Sequence, residues 1–362
     1  MSFIWSIDTA MPKYKHSQSV ILSYMQSQYN EEVTDLQRLK LMYERSGIDY
    51  RYSVIPDFDV NQPKKELFKD GLQPDVTSRL SCYHAHAKTL AEAAINNCLK
   101  SIPGENEQSF THLITVSCTG MSAPGLDIEL VKRLHLPSNI NRTSVNFMGC
   151  YAMVHAFKQA HAICTANKNA LVMIVSVELC TLHFQKNPSA DNLTANAIFA
   201  DGAAACVIAG DAYRDACKEP YFELIDFYSE IIPNGEKDMA WHISSEGFLM
   251  TLSAYIPSLI EQHIETLFNQ CLRGKLTLDD IELWAIHPGG RKILDVIQSQ
   301  LKLPKQALDA SYEVLRNYGN MSSATILFVL KKLLQSNQTG KTFGVAFGPG
   351  LTMESFLFEK HV

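Results

Sequence analysis

Short apolar runs alternate with helical periodicity along most of this chain, and that alternation restricts the fold more than any other feature. THLITVSC reads as a buried strand, GLDIELVKRL as a helix, TSVNFMG as a strand, and the run after Cys150 as a helix. ALVMIVSVEL is again a strand, 190–199 a helix, and GAAACVIAG a strand. The pattern returns further on: a helix over 255–271, the strand LWAIHPG, the helix RKILDVIQSQL, the helix MSSATILFVLKKLL, and a terminal strand–turn–strand in TFGVAFGPGLTMESFLFE. Strands separated by helices predict a mainly parallel sheet covered on both faces. Periodicity lapses and charge is dense over 211–220, so two similar α/β halves are expected, residues 1–215 and 216–362. Towards the start, 31–47 reads as a charge-mixed helix, followed by a loop with Pro56, Pro63 and Pro74 and a helix over 78–99.

Several classes of function are disfavoured. A formal charge of -6 offers no general attraction to nucleic acid. The start MSFIWSIDTAMPKY carries no secretory pattern, and the greasiest run is interrupted by Ser176 and Glu178, so neither export nor membrane spanning is expected. Nine irregularly spaced cysteines do not form a disulfide framework and suit a reducing, cytoplasmic setting. No zinc pattern appears: His84 and His86 are two apart on a helix and face different ways. Phosphate-loop, dinucleotide and nucleophile-elbow motifs are absent.

Three strand-to-helix junctions place chemistry where α/β folds bind ligands: Cys150 after Gly149, His287 before Pro288-Gly289-Gly290, and Asn320 after Gly319. At a helix start Cys150 would feel the positive end of the macrodipole, which favours thiolate. Singly, each residue admits a structural role: a buried filler, a histidine satisfied by backbone, an N-cap. Together they supply a nucleophile, its partner and an oxyanion donor.

The segments around Cys150, FADGAAA, WAIHPGG, YGNMSSA and AFGPGLTMES resemble the type III polyketide synthases, the chalcone synthase family of the thiolase fold, nearly end to end and in the usual order. The resemblance implies two similar halves in a layered αβαβα arrangement and an acyltransferase. It implies an acyl-accepting Cys150, partnered by His287 and Asn320, with Phe199 as gatekeeper and Gly348, Pro349 and Gly350 framing the site. An acyl-CoA starter would be extended iteratively with malonyl-CoA by decarboxylation, without metal or cofactor, in a homodimer. Arg38 and Arg45 match two CoA-binding positions, a third falls on Leu41, and Arg291 or Lys292 is expected to compensate.

Cavity positions depart from the plant pattern: Cys118, Cys180 and His183 replace threonines, Ala195 a glycine, Met250 a second phenylalanine and Ala123 a cross-dimer methionine. Thr119 is included among the substrate-binding positions, and Ala346 replaces the first glycine of the terminal loop. These departures point to the microbial branch, making alkylpyrones, alkylresorcinols or small polyhydroxylated aromatics. A fatty acyl starter is favoured by the adaptable Met250, a malonyl starter by polarity at Cys118 and His183. The alternatives are a ketoacyl-carrier-protein synthase III-like single condensation, or a catalytically dead binding relative.

Overall fold

The computed structural model describes residues 1–362 except 30–35, 70–72, 103, 105, 106, 234 and 275. One nine-stranded sheet runs in the order Leu283–Ile286, Gly340–Gly348, Thr352–His361, Tyr221–Ile231, Ser2–Ala10, Asp201–Gly210, Leu171–Leu179, His112–Ser117, Asn141–Asn146. The expectation of a mainly parallel sheet is corrected. Only His112–Ser117 with its two neighbours, and Leu283–Ile286 with Gly340–Gly348, pair in parallel. The other pairings are antiparallel. Ser2–Ala10 and Tyr221–Ile231, neither anticipated, pair with each other and join the two halves edge to edge. The Gly348–Leu351 turn then folds the last strand back on its predecessor.

Alternate residues of the central strands feed different layers, as the period of two requires. Ala203, Ala205, Val207 and Ala209 enter an outer core with Ala87, Ala91 and Ala94 of the helix Val76–Leu99. Ala204, Cys206 and Ile208 enter a middle core with Ala156 and Ala160 of the helix Ala152–Ala166 and with the helix Thr325–Gln335. Alanine is a poor strand former, yet its small side chain lets helices close on both faces of one strand. Strands of the second half send Ala346, Phe356 and Phe358 into the same middle core, and Phe343, Val345 and Leu357 into a third core beneath the helices Ile256–Leu272 and Arg291–Gln300. Three helical layers thus alternate with two stretches of sheet, the αβαβα order.

The expected 31–47 helix runs from Leu36 to Arg45, and positions 31–35 lie outside the described residues. The helix expected from Met321 begins at Thr325 after a 3-10 turn at Ser322–Ala324. A hairpin of Met239–Ser244 and Gly247–Leu252, also unanticipated, lies over the site. Among the described residues no helix is long and apolar enough to cross a membrane.

Candidate active site

Cys150, His287 and Asn320 reach one chamber, of about 1190 Å³ with its open mouth included, from three junctions far apart in sequence. The strand Asn141–Asn146 ends, Phe147 and Gly149 take φ of 60° and 85°, and Cys150 follows just before the helix Ala152–Ala166. Glycine is required at 149 twice over: by its positive φ, and because a Cβ there would stand 2.1 Å from Pro349 Cδ. The strand Leu283–Ile286 delivers His287, whose N–H donates to Val345 O at 2.8 Å. Gly319 ends the helix Asp309–Tyr318, and the Asn320 backbone bridges to Phe199, its N–H donating to Ile198 O at 2.9 Å.

Asn320 is more than a cap. Its Oδ1 accepts from the Ser322 N–H at 2.8 Å, while Nδ2 donates to Gly289 O at 3.2 Å. Ser322, at φ 46°, also lines the chamber, and its side chain and that of Asn320 both favour the Cys150 thiolate over the thiol. Sequence reasoning missed Ser322, because only the turn geometry aims it. Three non-glycine residues with positive φ, Phe147, Ser322 and Leu351, adjoin the chamber's working residues, as strained positions at functional sites commonly do.

Electrostatics bear on the expectation for Cys150. Burial pushes the Cys150 thiol up to about 12, aided by the buried Glu178 and opposed by the bonds from Ser322 and Asn320. Desolvation outweighs the helix start, which acts over a short range and is one residue further on. Burial likewise lowers His287 to about 3. Burial thus opposes charge on both groups. His287 is 1 % exposed, and neither ring nitrogen has a hydrogen-bond partner. Such groups are rarely left unpaired in a buried site.

Phe199, Cys118, Thr119, Cys180, His183, Ala195, Met250 and Pro349 all line the chamber. Gly348 and Gly350 are not in its wall. Gly348 lies behind Cys150, where a Cβ would come within 2.5 Å of Tyr151, so its part is to let the terminal loop pack on the nucleophile turn. Ala346 sits in a regular strand without positive φ and costs nothing in backbone strain. Arg38, Arg45, Arg291 and Lys292 are exposed outside the wall. Arg291 packs against Gly47, just past the end of the helix carrying Arg38 and Arg45, while its neighbours Gly289 and Ile293 reach the chamber. Leu41, on the same helix, is 46 % exposed. Ala123 is exposed and does not reach the chamber.

The polarity expected from Cys118 and His183 is turned away from the chamber. His183 Nε2 faces Thr119 O at 2.7 Å and Nδ1 accepts from the Phe248 N–H at 3.3 Å, fixing the tautomer with the proton on Nε2. Its ring stacks on Phe248 at 4.2 Å. Cys118 Sγ donates to Gly149 O and accepts from Gly149 N–H. The Thr119 hydroxyl donates to Glu178 and accepts from the Leu179 N–H. Met25, Phe58, Phe184, Trp241, Phe248 and Leu252 complete a largely apolar wall that periodicity could not have identified.

Comparison with known proteins agrees with this geometry. Family models described as chalcone and stilbene synthases match over residues 1–212 (N-terminal domain) and 223–361 (C-terminal domain). The chain is 29% identical over 89% of its length to the alpha-pyrone synthesis polyketide synthase-like Pks18 of Mycobacterium tuberculosis, covering 82% of that protein. It is 28% identical over 98% of its length to polyketide synthase 1 of Dictyostelium discoideum, of which it spans only 11%. The crystal structure of PKS-I from the brown alga Ectocarpus siliculosus superposes with a TM-score of 0.91 at 30% identity, covering 99% of this chain and 98% of that one. A cysteine, an imidazole and a carboxamide around one chamber, in a layered fold matched from end to end, place this chain in the chalcone and stilbene synthase family, the type III polyketide synthases of the thiolase fold, which are acyltransferases.

Proposed function

We propose that the chain loads a fatty acyl group from a CoA thioester onto Cys150, extends it with malonyl-CoA and releases an alkylpyrone. The observation that carries this reading is the His287 imidazole, deeply buried with both nitrogens unpartnered, in the chamber shared with Cys150 and Asn320. In loading, neutral His287 takes the Cys150 proton as sulfur attacks the thioester carbonyl, and returns it to the departing CoA sulfur. This route needs no resting thiolate.

In extension, the bond from the malonyl Cα to its carboxylate breaks, CO2 leaves, and the electron pair forms an enolate. A ring N–H of His287 and an Asn320 Nδ2 hydrogen donate to the thioester oxygen where that charge collects. Each such donor contributes on the order of 3 kcal/mol to lowering the barrier. Phe199 gives the carboxylate an apolar neighbour that favours neutral CO2. The enolate carbon attacks the acyl–Cys150 carbonyl and the sulfur leaves, so the lengthened chain is carried on CoA until it returns to Cys150.

The apolar wall, with the polar atoms of His183, Cys118 and Thr119 already engaged, supports a fatty acyl starter over a malonyl one. Arg38, Arg45 and Arg291, on neighbouring elements, supply positive charge for CoA phosphates, with Lys292 beside them. No further cofactor is invoked. The working unit is a homodimer in the cytoplasm, a setting consistent with nine free cysteines.

The test is incubation with malonyl-CoA alone, then with acyl-CoA starters of increasing length, reading products by mass. Alkylpyrones from long-chain starters are expected. Products from malonyl-CoA alone would overturn the starter assignment, and a single condensation that accepts only carrier-bound malonate would overturn the activity.

A further inference from the structure

Outside the chamber, one cluster combines a thiol, an imidazole and a carboxylate. Cys82 and His86 stand four residues apart on the helix Val76–Leu99, so both project from one face. Glu66, from the preceding loop, comes down on that face. One ligand atom from each of the three lies within 4.8 Å of the other two. His86 Nε2 is 2.6 Å and Cys82 Sγ 3.9 Å from the same carboxylate oxygen, Glu66 Oε1. We propose that Glu66, Cys82 and His86 form a binding site for one zinc-class divalent cation, with water completing a tetrahedron.

Two of the three ligand separations are close to what such an ion needs, and the sulfur–nitrogen separation lies within 4.8 Å. Bonds of roughly 2.3 Å to sulfur and 2.0–2.2 Å to nitrogen and oxygen give tetrahedral edges of about 3.3–3.6 Å. The sulfur–oxygen separation is nearly that already. The nitrogen–oxygen pair must open by about 0.7 Å to reach the same range, which the partly exposed Glu66 and His86 side chains have room to do. A thiolate and an imidazole prefer zinc or cobalt over magnesium or calcium.

The ligand from the loop is held in position beforehand. Asp57, fully buried, accepts from the backbone N–H groups of Glu66, Leu67 and Phe68 at 2.7, 2.9 and 2.7 Å. The same loop carries Phe58 and Phe68, whose rings meet Phe184 edge-on at 6.2 and 5.3 Å. Phe58 and Phe184 line the substrate chamber, so an ion here would pin a chamber wall to the long helix while taking no part in the chemistry.

The experiment uses chelator-treated full-length protein and follows alkylation of each cysteine by iodoacetamide, with and without a small excess of zinc. Zinc is expected to slow alkylation of Cys82 at least tenfold, and Glu66→Gln or His86→Ala to abolish that protection. Cobalt should give a thiolate charge-transfer band that persists in Cys150→Ala and disappears in Cys82→Ser. Circular dichroism checks that each variant is folded. Unchanged Cys82 alkylation with zinc, protection that survives both Glu66→Gln and His86→Ala, or a cobalt band lost with Cys150 and kept without Cys82 would each overturn the site.

Discussion

Replacing Ser322 by alanine removes one of the two side chains that favour the Cys150 thiolate by hydrogen bonding. With the thiol pushed up to about 12, the thiolate at pH 8 is about one part in 10⁴, and thiolate is the species iodoacetamide attacks. A hydrogen bond to a charged group is worth about 1.5–3 kcal/mol, and each pKa unit corresponds to about 1.36 kcal/mol. Losing the Ser322 bond should raise the thiol by roughly one to two units and slow alkylation roughly ten- to a hundredfold at fixed pH. In the parent protein the rate should rise about tenfold per pH unit from 7 to 10 without a plateau, since the titration midpoint lies above that range. Site-resolved mass spectrometry reads Cys150, with Cys82 as internal reference, and Cys82 should be unaffected by Ser322→Ala. A Cys150 plateau with a midpoint below pH 7 would show that a thiolate–imidazolium pair exists at rest and that burial does not dominate. An unchanged rate in Ser322→Ala would refute the role given to that hydroxyl.

Gly149→Ala forces alanine into positive φ against Pro349. A cost of about 1–3 kcal/mol in denaturant unfolding is expected, with loss of product formation. Arg291→Ala combined with Lys292→Ala should raise KM for malonyl-CoA roughly fivefold, about 1 kcal/mol, with kcat unchanged; an unchanged KM would remove both from the CoA grip. Glu178 is buried and pushed up to about 7 from 4.5, so the native state holds its proton more tightly than the unfolded chain. Its contribution is full below about pH 4.5 and falls as pH rises through 7, by about 3 kcal/mol in all. Glu178→Gln should therefore flatten the decline in unfolding free energy between pH 5 and 7.5, measured in urea. A decline as steep as in the parent would place its source elsewhere.

The positions of Cys150, His287 and Asn320 were legible in the chain because each ends a strand or opens a turn beside glycine or proline, and such punctuation survives without coordinates. Alternation of periods made the order of strands and helices legible, and the layered αβαβα arrangement came from the resemblance. The antiparallel joins were not, because Ser2–Ala10 and Tyr221–Ile231 reveal their pairing only when the two halves meet. His183 and Cys118 looked polar as letters, and the structure turns their polar atoms to backbone groups 65 and 31 residues away.

Local pattern by itself determined which residues stand at the strand ends, because backbone period and turn chemistry act over a few neighbours. Only the tertiary structure decided their solvation and companions. Solvation of the Cys150 sulfur depends on everything packed around it, from Glu178 on one side to Ser322 and Asn320 on the other. Burial of that kind is a sum over distant segments, and no short stretch of sequence contains it.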